Sequence, residues 1–216
     1  MTRPLAVLFD CDGVIVDSEP VAARIAYEDL KARGLTVSHA EFEKIFTGST
    51  MYVVRDKARA AGLDLADDWT SGIYKAIYAD LTKGVDLVPG VLAVLDALDA
   101  AGIPYGVGSN GQLVKMDITL GQHAGLKERF NGHIYSGQEL GATKPDPLVY
   151  LHGAKQLGIA PHDCVVVDDS IYGCMAGVAA GMRTMGFAAH GDGADLKSVG
   201  AEVFHHMDEL PGLLGL

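Results

Sequence analysis

Short apolar runs recur along the chain, each ending in a polar or glycine-rich turn. They cover residues 5–9, 105–109, 133–136, 164–168, 184–187 and 202–204. Runs of this length and continuity read as strands of a parallel sheet buried on both faces. Helical patterns lie between them. Leu92, Leu95 and Leu98 form an apolar stripe after Pro89-Gly90, and residues 148–157 read as a helix with Pro147 as its first residue and Gly158 as its stop. Strands alternating with helices predict βαβ units and an α/β fold. Residues 16–86 break the alternation. No convincing period-2 run occurs there, and Gly34, Gly48, Gly62 and Gly72 punctuate helical stretches. The pattern predicts an all-helical domain over 16–86, inserted into a core domain formed by residues 1–15 and 87–216.

Composition narrows the function. A chain of 216 residues suits one core domain and a smaller insertion. Hydrophobic content of 49% with 27 glycines fits an α/β enzyme. The net charge of −11 argues against a nucleic-acid or membrane-surface binder. An anionic substrate must therefore be drawn in locally, by a metal ion, a lysine or a helix N-terminus. No apolar stretch is long enough to span a bilayer, and no signal peptide is apparent. Cys11, Cys164 and Cys174 show no CxxC spacing and read as free thiols in a reducing cytoplasm.

Four strand ends carry the candidate chemistry. The first strand runs directly into Asp10-Cys11-Asp12-Gly13. Open α/β sheets hold ligands beyond the carboxyl ends of their strands. Two carboxylates at i and i+2 repel there unless a cation lies between them or their pKa values separate. An Asx-Gly turn explains this fragment equally well. The second segment, Ser109-Asn110-Gly111, offers a hydroxyl and backbone amides at a helix start, a phosphate seat or an ordinary cap. In the third, Thr143-Lys144-Pro145-Asp146, the proline holds the lysine backbone extended and presents an ammonium, unless the segment is a plain surface loop. The fourth, Val165-Val166-Val167-Asp168-Asp169-Ser170, is a buried strand ending in paired acids. Each has a structural explanation by itself; their joint occurrence in this order is far less expected by chance.

Together these segments resemble the haloacid dehalogenase superfamily of phosphotransferases, in its sugar-phosphatase and β-phosphoglucomutase-like branch. Residues 10–20 are similar to that branch's opening signature, and Ser109, Lys144 and Asp168-Asp169 to its second, third and fourth motifs. Residues 181–187 and 201–204 are similar to its last core strands. The resemblance implies a Rossmann-like three-layer core with a parallel sheet and a smaller helical cap after the first strand. It implies that Asp10 is a nucleophile forming an aspartyl-phosphate, and that Asp12 protonates the leaving oxygen and later activates water. Mg²⁺ is the implied cofactor, held by Asp10, the Asp12 backbone carbonyl and Asp169, with Asp168 behind them. Ser109, the Asn110 amide and Lys144 are implied to hold the phosphoryl oxygens. Dehalogenating relatives lack an acid at the position of Asp12, so the expected activity is a phosphatase acting on a small phosphomonoester.

In this family the cap selects the substrate. The implied specificity residues are Thr47, Gly48, Ser49 and Thr50, with Arg55 one turn further on. Such hydroxyl-rich contacts suit a sugar or polyol monophosphate. A β-phosphoglucomutase-like mutase, which needs a grip on a second phosphate, is the alternative; a non-catalytic binding domain is the third reading. The expected partner is a small molecule, with no nucleic acid or membrane, and the chain is expected to be a monomer or weak dimer. The crossings between cap and core, near residues 15–18 and 83–88, are expected to flex.

Other signals are set aside. Gly106-Val107-Gly108-Ser109-Asn110-Gly111 matches the dinucleotide fingerprint letter for letter, but two of its glycines fall inside the strand and Asn131 stands where an acid belongs. Close packing beside the first strand is the expected use of those glycines. His190, His205 and His206 lack a third ligand at metal-site spacing, and Trp69 is expected in the core of the cap.

Overall fold

The computed structural model describes residues 3–46 and 50–216. The chain divides into two compact units, residues 1–17 with 86–216 and residues 18–85.

The first unit is built on six parallel strands: β1 (Ala6–Phe9), β2 (Tyr105–Ser109), β3 (Ile134–Ser136), β4 (Cys164–Asp168), β5 (Arg183–Phe187) and β6 (Glu202–Phe204). Their spatial order is β3-β2-β1-β4-β5-β6. β1 is fully buried, which its unbroken apolar run requires between two neighbours and two helical layers. Phe9 pairs with Val107 of β2 on one side and Val167 of β4 on the other. Asp10, Ser109 and Asp168 therefore leave the sheet at nearly the same level. The strand order reverses at β1, which makes the crevice between β1 and β4 the place where such sheets bind ligands.

In chain order the helices are α1 (Glu19–Ala32), α2 (His39–Phe46), α3 (Met51–Ala60), α4 (Trp69–Leu81), α5 (Val91–Ala101), α6 (Leu113–Leu120), α7 (Leu126–Arg129), α8 (Gly137–Leu140), α9 (Leu148–Leu157), α10 (Ile171–Ala179), α11 (Ala194–Ser198) and α12 (Leu210–Leu214). None is long and apolar enough to cross a membrane. Three local expectations need correction. The buried face of α5 is Val91, Val94, Leu95 and Leu98, whereas Leu92 is exposed: an i, i+3, i+4, i+7 stripe stays on one side, and a run of threes drifts off it. Pro147 precedes α9 as its cap residue instead of opening the helix. Gly72 lies inside α4 and does not interrupt it.

The second unit, residues 18–85, contains α1 to α4. Trp69, Ile73, Ile77 and Leu81 recur every fourth residue along α4 and are buried. Ala26, Tyr27 and Leu30 are the buried side chains of α1. The Trp69 indole donates to Asp29 Oδ2 at 2.6 Å, which satisfies the one polar group of a large apolar side chain.

Residues of the first unit tie the two crossing chains together. Val16 forms an antiparallel bridge with Leu87, Asp17 N donates to Asp86 O at 2.8 Å, and Val88 N donates to Ile15 O at 3.0 Å. The three cysteines are free and buried.

Candidate active site

Asp10 follows β1 directly, its amide bonded to Val167 O at 2.8 Å, and its side chain is largely buried. Lys144 reaches it from the loop before α9. The Lys144 ammonium donates to Asp10 Oδ1 at 2.6 Å and to Asp168 Oδ2 at 2.7 Å. It also lies 4.7 Å from the centre of the Tyr150 ring. Lys144 is buried, so the surface-loop reading of this segment fails and its ammonium is not offered outward. Burial works against its charge, but Asp10 and Asp168 outweigh that and raise its pKa. Burial raises the Asp10 carboxyl, reinforced by Asp168 and Asp12 and opposed by Lys144.

Asn110 clamps the Lys144 backbone from both sides. Its Oδ1 accepts from Lys144 N at 2.7 Å and its Nδ2 donates to Lys144 O at 3.4 Å, beside the cis Lys144-Pro145 peptide. The sequence points only to the Asn110 amide; the side chain fixes the lysine. Ser109 is buried, and its Oγ accepts from Gly111 N at 2.9 Å. The helix that follows, α6, begins at Leu113 with Gln112 as its cap, so Ser109-Asn110-Gly111 precede the helix and do not open it. Gly106 and Gly108 do serve close packing, but mostly elsewhere than against the first strand. A Cβ on Gly106 would meet His133 O at 2.9 Å, and one on Gly108 would meet Tyr150 at 3.1 Å.

Asp168 is fully buried and fully bonded. Its Oδ2 accepts from Lys144 and, at 2.5 Å, from the Tyr150 hydroxyl. Its Oδ1 accepts from the Ser170 amide at 2.9 Å and the Ser170 hydroxyl at 2.8 Å. Ser170 in turn caps α10 by accepting from Gly173 N at 3.0 Å. Burial raises the Tyr150 hydroxyl pKa, and Asp168 raises it further, so Tyr150 stays a donor.

Asp10, Asp168 and Asp169 each offer an oxygen within 4.8 Å of the others. Hard oxygens in such a cluster suit Mg²⁺. Four hydrogen bonds already occupy Asp168, which leaves Asp10 and Asp169 as the carboxylates fitted to a cation. Asp169 is seated against Gly13, where a Cβ would stand 2.0 Å from Asp169 Oδ2. Gly13 also has φ +75°, so glycine is required there on both counts.

Asp12 pairs with Lys115 at 2.7 Å, a residue that the motif reading misses, as it misses Tyr150 and Gly173. A glycine in the first turn of α10 weakens a helix and was the available signal for Gly173. Tyr150 gave none, since an aromatic at that position reads as core.

Of the cap residues, Thr47, Gly48 and Ser49 lie outside the described residues. Thr50 caps α3, accepting from Val53 N at 3.4 Å. Arg55 bonds Asp56 at 2.9 Å and lies 5.7 Å from the centre of the Tyr52 ring. His205 Nδ1 lies 2.9 Å from Ala188 O, and the amides of His205 and His206 donate to Glu209.

A family model for haloacid dehalogenase-like hydrolases matches residues 4–181. The 6-phosphogluconate phosphatase of Escherichia coli K12 is 32% identical over 215 residues, spanning 99% of this chain and 96% of the relative. Hexitol phosphatase A of the same organism is 32% identical over 211 residues, spanning 94% and 91%. The crystal structure of a HAD family hydrolase from Deinococcus radiodurans R1, with bound phosphate and sodium, superposes with a TM-score of 0.83 at 35% identity, covering all of this chain and 96% of that one. A parallel sheet that brings buried acids, a serine and a lysine to its strand ends, in a chain matched over this span, belongs to the haloacid dehalogenase-like hydrolases.

Proposed function

We propose that this protein is a Mg²⁺-dependent phosphatase that hydrolyses a sugar or polyol monophosphate through an aspartyl-phosphate on Asp10. The observation that carries the reading is the cluster at the end of β1. A buried carboxylate, Asp10, lies against a buried ammonium, Lys144, with Asp169 close by and Asp12 two residues on.

Asp10 attacks phosphorus in line, and the ester oxygen leaves on the opposite side. Asp12 gives that oxygen a proton, then takes one from the water that cleaves the acyl-phosphate; positioned acid–base groups contribute about 10²–10⁴-fold. Ser109, the Asn110 amide and Lys144 hold the transferring oxygens. A divalent cation bound by Asp10, Asp169 and the Asp12 carbonyl supplies compensating charge where two anions must meet. The names of the two Escherichia coli relatives support a phosphorylated sugar acid or hexitol as substrate class. Thr50 and Arg55 are the cap residues we assign to its selection, with Thr47, Gly48 and Ser49.

The test is inorganic phosphate release from sugar-acid, hexitol, sugar and nucleotide monophosphates, with Mg²⁺ and with EDTA. Wild type should release phosphate only with the metal, and folded Asp10→Asn should lose at least about 10³-fold. Conversion of β-glucose 1-phosphate in the presence of a bisphosphate primer, with no phosphate released from any ester, would instead establish the mutase.

A further inference from the structure

Lys115 has no part in the chemistry above, yet it holds the residue on which that chemistry turns. It stands in the first turn of α6, and its Nζ donates to Asp12 Oδ1 at 2.7 Å across 103 residues of sequence. Both side chains are mostly enclosed, 17% and 22% exposed. An exposed pair of this kind contributes little, but an enclosed one fixes geometry.

Gly111 forms the floor beneath the pair. A Cβ on Gly111 would lie 3.6 Å from Lys115 Cδ, 3.6 Å from Asp12 Oδ2 and 3.3 Å from Ser109 Oγ. Asp12 thus has Oδ1 on the ammonium, while Oδ2 and the Ser109 hydroxyl both border the space above Gly111, beside the seat we propose for the phosphoryl group. An aspartate has few rotatable bonds, so pinning Oδ1 aims Oδ2.

We propose that Lys115 is a positioning residue that acts through Asp12, pinning Oδ1 so that Oδ2 carries the proton to the leaving oxygen. The proposal rests on the phosphatase reading. As the ester P–O bond breaks, its electron pair stays on the departing oxygen, which takes the proton from Asp12. The carboxylate formed is met by the ammonium already beside it. In the second half, water gives its proton back to Asp12 while its oxygen bonds to phosphorus and the bond to Asp10 breaks.

The experiment compares kcat/KM, which reports the first half-reaction, on a hexitol 6-phosphate and on p-nitrophenyl phosphate. The alkoxide leaving group needs the proton and the nitrophenolate does not. In Lys115→Met, kcat/KM on the alkyl ester should fall about 10–100-fold and on the aryl ester less than about threefold, a share of what a positioned acid contributes. Inhibition by inorganic phosphate should be unchanged, and Lys115→Arg should restore most of the loss. Should Lys115→Met fail to fold by circular dichroism, Lys115→Gln carries the same comparison. An equal fall on both esters with weakened phosphate inhibition would make Lys115 a phosphate contact and overturn the proposal, as would no change on either. Wild type that releases phosphate from neither ester overturns the phosphatase reading, and this inference with it.

Discussion

A methyl group on Gly173 would sit 1.8 Å from a carboxylate oxygen of Asp168. Asp168 cannot retreat, because its four hydrogen bonds come from Lys144, Tyr150 and Ser170. Gly173→Ala should therefore force the first turn of α10 away from β4, costing about 1–3 kcal/mol as overpacked cores do. Urea denaturation reads this directly, and wild-type stability in the variant would contradict it. Tyr150→Phe is the milder probe. It leaves the ring beneath Lys144 and removes one donor from a buried carboxylate, at a cost of about 1–3 kcal/mol. It should also lower turnover, because the same carboxylate holds the ammonium on Asp10. Stability and phosphate release of Tyr150→Phe should fall together. At this scale the acids and Ser109 are legible, since a charge or hydroxyl ending an apolar strand is conspicuous, and Lys144 is legible by the proline that follows it, although it stands in the loop between α8 and α9 and ends no strand. Tyr150, Gly173, Lys115 and the Asn110 side chain were not, because their partners are distant in sequence and each residue type fits a helix or turn without them.

At the scale of elements the apolar runs locate the strands well, three of them to within a residue and three without error. The run at 184–187 gains Arg183, which pairs with Val165 in the ladder although its side chain is partly exposed and bonded to Glu202. Helix faces were less legible, as Leu92 shows: a stripe of like residues is visible in sequence, while the side that meets the sheet depends on neighbours. The join of α1 and α4 offers a pH test. Burial alone would raise the Asp29 carboxyl, but hydrogen bonds from Arg33 and Trp69 outweigh it and lower the pKa. A lowered acid stabilises the fold above its unfolded pKa, near 4, and that contribution is lost as pH falls through the folded value. Asp29→Asn should thus be less stable than wild type at pH 7, and the two should converge below about pH 4. Trp69 is the single tryptophan, so its fluorescence follows the second unit alone. A gap independent of pH would show that Asp29 contributes nothing through its charge.

For the whole molecule, the break in alternation after the first strand was the readable sign of an insertion, and the paired crossings were not. A bridge between Val16 and Leu87 joins residues too far apart in sequence for any local pattern to register. Its consequence is modularity. Because Asp17 and Asp86 are already hydrogen-bonded neighbours, everything between them is a detour that starts and finishes at one point. Closing a loop there needs only a few residues, and loop closure grows costly slowly with length. A chain in which a short glycine-rich turn replaces residues 18–85 should fold with the same sheet, which its circular dichroism and cooperative denaturation would report. By the same token, an insertion of quite different size grafted at this point should leave the strand ends of the first unit undisturbed, so the part that we propose selects the substrate is exchangeable without rebuilding the sheet.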